Sequence, residues 1–80
     1  MLAMEMLNGG QLEAAFQAFE EALSVDENYA AAYFHGAQTL EKLGRVEDAR
    51  AMYRRGIDVT ARSGDDHTRS ELQAALEMLG

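Results

Sequence analysis

Eighty residues carry a net charge of −7, with 14 acidic and 7 basic side chains, no proline and no cysteine. That composition excludes a disulfide-stapled domain or a thiolate metal site, and its charge has the wrong sign for gripping nucleic-acid phosphates. The abundance of alanine, leucine, glutamate, methionine and glutamine favours an all-α fold, in one small domain with little room for buried catalytic machinery.

Met1 to Leu7 reads as a short apolar helix that ends at Asn8-Gly9-Gly10, a turn signal in which glycine takes the left-handed conformation of a helix end. The segment carries Glu5 and lacks the basic start of a secretory leader, and no apolar run in the chain approaches membrane-spanning length. The expectation is a soluble, cytoplasmic protein that contacts neither membrane nor nucleic acid. From Gln11 to Val25 the residues Leu12, Ala15, Phe16, Phe19, Ala22 and Leu23 fall on one face of a helix, closed by Asp26-Glu27-Asn28. Tyr29 to Leu43 repeats the pattern with Ala30, Tyr33, Phe34, Ala37, Leu40 and Leu43, and Gly44 supplies the C-terminal cap. Val46 to about Ala61 turns Val46, Ala49, Met52, Tyr53, Gly56 and Ile57 inward, and Ser63-Gly64-Asp65-Asp66 breaks the chain again. Thr68 to Glu71 has the form of a capping box ahead of a last helix that carries Leu72, Ala75, Leu76 and Leu79. Five helices are predicted, with no strand pattern anywhere.

These elements repeat. Gly10, Ala15, Phe19 and Ala22 recur 34 residues later as Gly44, Ala49, Tyr53 and Gly56, and Gly9–Leu23 aligns with Leu43–Ile57 without a gap. A fixed period of this length marks a stacked array in which each unit buries its apolar side on the next. Small residues at Ala15, Ala22, Ala49 and Gly56 fit close helix crossings, and Phe19 and Tyr53 fill the space between successive pairs. Charge is patterned as well: residues 1–29 sum to −6, residues 30–63 to +2 and residues 64–80 to −3. A basic island between acidic ends is expected to serve as a solvated face with inter-helix pairing. A sharper alternative sets Arg50, Arg54 and Arg55 against Glu13, Glu20 and Glu21 of another molecule.

Period, helix pairing and residue types resemble the tetratricopeptide repeat, a helix-turn-helix unit of this length. In the unit from Ala30 to Ser63, Tyr33 stands where the family prefers Trp, Leu40 where it prefers Tyr, Gly44 at the turn, and Ala49, Tyr53 and Gly56 at the small, aromatic and small positions of the second helix. Leu2, Ala3 and Met6 occupy the core positions of the preceding unit's first helix, which lacks its beginning. The resemblance implies an α-solenoid of about one and a half to two repeats: residues 1–29 as an N-terminally shortened repeat and 30–63 as a complete one. Residues 64–80 follow as a capping helix, with His67 at the position of the Trp. Gly36 and Ala37 replace the family's usual Leu-Gly pair, pointing to a close backbone approach or a groove.

Catalysis finds little support, because the chain has no Cys, two isolated His and three scattered Ser, and no nucleophile or base stands in a recognisable constellation. Asp65-Asp66-His67 is better read as a helix start than as metal ligands, so no metal, cofactor or enzymatic activity is expected. The resemblance implies instead a scaffold that binds a peptide or partner helix through a groove, with Phe34, His35, Gln38, Glu41 and Lys42 as the groove-facing candidates. With Lys42 as its one basic residue, that set does not match the clamps for acidic tails found in some members. An array below three units calls for support, so the alternative is a homodimer formed through the apolar first helix or by helix exchange. Met1, Met4 and Met6 would then lend an adaptable apolar surface. The shortened first helix also suggests a piece of a longer protein.

Overall fold

Two glycines do most of the work of dividing the chain. Gly44 (φ +78°) and Gly64 (φ +80°) adopt the left-handed conformation that side chains resist, and each lets the following residue turn back to bond the helix just ended. The Arg45 amide donates to the Leu40 carbonyl at 2.9 Å and the Asp65 amide to the Thr60 carbonyl at 3.0 Å. Four helices result in the computed structural model: α1 (Leu2–Val25), α2 (Ala30–Lys42), α3 (Val46–Ser63) and α4 (Asp66–Leu79). It describes residues 2–80, with side chains from Gly10 onward. The surface imagined for Met1, Met4 and Met6, and the inward positions of Leu2, Ala3 and Met6, lie outside the described side chains.

The turn expected at Asn8-Gly9-Gly10 does not form. α1 runs unbroken from Leu2 to Val25, so among the described residues the helices number four rather than five. A helix of seven residues cannot sustain itself, whereas a glycine kept inside a longer helix costs only about 0.5–1 kcal/mol. Nothing crowds Gly10 either: a Cβ added there would meet no neighbouring atom within 4 Å.

A second expectation fails at the start of α4. Asp65, not Thr68, is the cap, its carboxylate accepting from the Thr68 amide at 3.1 Å, so the predicted capping box sits inside the first turn. α3 continues to Ser63, which delays α4, and the 34-residue spacing no longer predicts its inner face. His67 is 86% exposed, next to Glu71 at 3.5 Å, while the half-buried Thr68 and fully buried Leu72 turn inward.

α2 is central. It packs against α1 on one side and α3 on the other and touches α4, which lies mainly on α3. The core holds Leu23 from α1, Ala32, Tyr33, Ala37 and Leu40 from α2, Ala49, Met52, Tyr53 and Val59 from α3, and Leu72 from α4. At the crossing of α2, α3 and α4, a Cβ on Gly56 would lie 2.6 Å from the Tyr33 Cβ and 2.9 Å from the Leu72 Cδ1, so no side chain fits there. Gly36 has a different neighbour: the Met52 methyl occupies the space beside it, 2.6 Å from where a Cβ would stand. A movable methionine end, not a groove, fills the space beside that glycine. The Tyr33 hydroxyl donates to the Glu27 carbonyl at 2.8 Å, which pins the α1–α2 connection to the core.

Candidate functional site

The successive 100° steps of a helix place Phe34, His35, Gln38, Glu41 and Lys42 within roughly a third of the circumference of α2. Around them the burial differs. Phe34 and Glu41 are half-buried, and His35, Gln38 and Lys42 are exposed. One edge of this arc leans on α3, where the Phe34 ring meets the Tyr53 ring edge-on with centroids 6.4 Å apart and the Glu41 carboxylate accepts from the Tyr53 hydroxyl. The other edge leans on α1, where His35 stacks on Phe19 at 6.0 Å and an interplanar angle of 24°. Between the edges, Gln38 and Lys42 have no side-chain hydrogen bond or ion pair among the described residues. The arc therefore offers an aromatic ring, an amide and an ammonium group on a helix held rigidly from both sides. Burial, reinforced by the bond to Glu41, pushes the Tyr53 hydroxyl well above its ordinary range, so it stays a neutral donor.

The opposite side of the molecule holds a feature that sequence reasoning missed. α1 and α3 are bridged by side chains rather than by close backbone packing, leaving a cleft of about 240 Å³. Phe16, Leu40 and Met52 contribute apolar surface to it, and Arg45, Arg55 and Glu20 stand along it. Arg45 lies 3.7 Å from Glu13 with its guanidinium 5.5 Å from the centre of the Phe16 ring, and Arg55 lies 3.4 Å from Glu20 and 5.5 Å from the centre of the Tyr33 ring. Phe16 on α1, Arg45 at the cap of α3 and Arg55 within α3 lie far apart in sequence, and only the helix packing brings them together.

Arg55 lies 3.4 Å from Glu20 of its own chain, and Arg50 pairs with Glu47 one turn away and donates to the Gly80 carbonyl at 2.9 Å. Asp65, Asp66 and His67 are likewise used locally: the first caps α4, the second lies 3.3 Å from Arg69 and the third faces Glu71. Among the described residues no helix is long and apolar enough to cross a membrane.

Four packed helices without strands among the described residues, with a unit that recurs along the chain, define an all-α helical repeat fold. A profile of the tetratricopeptide repeat matches residues 6–79, and the chain belongs to that family. A tetratricopeptide repeat domain protein from Salinibacter ruber has the same fold. Its solution structure superposes with a TM-score of 0.82 at 35% identity, covering 98% of this chain and 79% of that one. Its crystal structure gives 0.79 at 35% identity, over 98% and 88%. An uncharacterized protein of Methanocaldococcus jannaschii is 38% identical over 56 residues, 70% of this chain and 65% of the relative, so less than two thirds of that protein is represented. Tetratricopeptide repeat domains are in general non-catalytic modules that bind other proteins.

Proposed function

We propose that this chain is a non-enzymatic, cofactor-free docking module that receives a peptide or a partner helix along the outward arc of α2. The observation that carries the reading is the half-buried Phe34 ring beside unengaged Gln38 and Lys42, on a helix held by packing on both flanks. A fixed aromatic anchor with adaptable polar neighbours is the arrangement that concentrates binding energy in few residues. Glu41, turned toward Tyr53, shapes the edge of the arc, and His35 closes its α1 side. In this reading residues 30–63 are the complete repeat that presents the site, and residues 64–80 cover its far flank.

Cross-linking and mass spectrometry in a lysate of the source cells identifies the bound segment, and titration of that synthetic segment then tests the site. Gln38→Ala and Phe34→Ala are expected to weaken binding at least about tenfold, each with unchanged far-UV helicity. Undiminished binding by both, together with loss of binding by Ala51→Arg on the cleft side, overturns the assignment to α2.

A further inference from the structure

Residues of α1 and α3 that stand 34 apart in sequence are not equally covered. Ala49 and Tyr53 are both 0% exposed and Gly56 is buried, while their counterparts Ala15, Phe19 and Ala22 are only half-buried. On α3 the cover is α2, whose Gly36, Ala37 and Leu40 are buried at the contact. The residues that stand 34 before those three are Leu2, Ala3 and Met6. The chain thus carries both a flank on α1 that is short of cover and, by register, the segment matched to it. Within one molecule the two cannot meet, because α1 is continuous from Leu2 to Val25 and a straight helix cannot fold onto its own side.

We infer that a second copy supplies the cover: residues 2–7 of each chain dock beside Ala15, Phe19 and Ala22 of the other, in a reciprocal helix exchange for which Asn8-Gly9-Gly10 is the opened hinge. Exchange of an identical element is a low-cost route to a dimer, since each contact replaces one that the folded-back hairpin would make. The hinge also favours it. α1 already runs straight through Gly10, and no neighbouring atom crowds the helix there. The occupant is a second copy of this chain, and the interface is separate from the outward arc of α2, so the two readings fail independently.

The absence of native cysteine allows a direct test. A Met6→Cys/Ala15→Cys chain, oxidised and run under non-reducing conditions, is expected to give a covalent dimer. An internally bridged monomer, or no more product than a Met6→Cys/Asn28→Cys control, overturns the proposal. Sedimentation equilibrium from low micromolar to several hundred micromolar supplies the second measurement. The native chain is expected to dimerise and Leu2→Asp/Met6→Asp to remain monomeric with α2–α4 folded. A native chain that stays monomeric, or a dimer that survives the aspartates, also overturns it.

Discussion

Gly10 and Gly44 stand at equivalent places in the 34-residue period, yet one lies inside a helix and the other ends one. What separates them is what comes before. The thirteen residues of α2 bury six positions against their neighbours, which fixes where α3 must turn and makes the left-handed conformation at Gly44 worth its cost. At Asn8-Gly9-Gly10 no such packed partner precedes the turn signal among the described residues, and the backbone keeps its helical bonds through α1. A glycine in a turn position permits a turn; the packing on either side decides whether it is used.

The sharpest way to break this comparison is to enlarge the small residue at the corresponding point of each unit. Ala49→Leu is expected to lower stability by about 1–3 kcal/mol through overpacking of a site with no exposed surface, while Ala15→Leu, in dilute solution, should stay within about 0.5 kcal/mol. Equal losses in thermal melts would mean the two units are covered alike. The glycines themselves come next. Gly44→Ala should cost about 1–2 kcal/mol because its φ is positive, whereas Gly10→Ala should add about 0.5–1 kcal/mol by strengthening a helix interior. Loss of stability on both substitutions would restore the turn at Gly10.

The smallest effect concerns the aromatic pair. Burial, then the bond to Glu41, raises the Tyr53 hydroxyl above its ordinary value of 10.0, and Phe19 has no such group. An unfolded tyrosine loses its proton near pH 10 while the folded one keeps it, so the unfolded chain binds fewer protons there. The stabilisation is complete below that pH and is lost progressively above it. Tyr53→Phe is expected to cost about 1 kcal/mol at neutral pH and to flatten the alkaline decline in melting temperature. An unaltered alkaline slope would show that this hydroxyl is not held neutral by the fold. Tyr33, also raised chiefly by burial, contributes the part of the decline that remains.

The fold class was legible because helical spacing and the 34-residue echo report the same packing twice: Leu23, Tyr33, Leu40, Ala49 and Tyr53 are inward as their spacing requires. Local signals without tertiary weight behind them misled. Asn8-Gly9-Gly10 has a turn composition but no packed helix to reverse, and Thr68–Glu71 has the right letters for a box, yet Asp65 reaches the free amide first. His67 fell off the inner face because α3 extends to Ser63, a shift of helix length that a period cannot reveal. Of the α2 arc, the shared face followed from helix geometry alone. Its division, Phe34 and Glu41 toward Tyr53 and His35 toward Phe19, depends on distances between helices. The cleft between α1 and α3 was invisible for the same reason.

The span between those two helices is held by Arg45 and Arg55, cations that are 43% and 51% exposed in their side chains, each engaged with a carboxylate and set over an aromatic ring. Exposed pairs of this kind are worth only about 0.2–1 kcal/mol each and weaken as counterions crowd in. Salt should therefore loosen these two bridges, while the apolar contacts of α2 with α1 and α3 keep one unit set against the next.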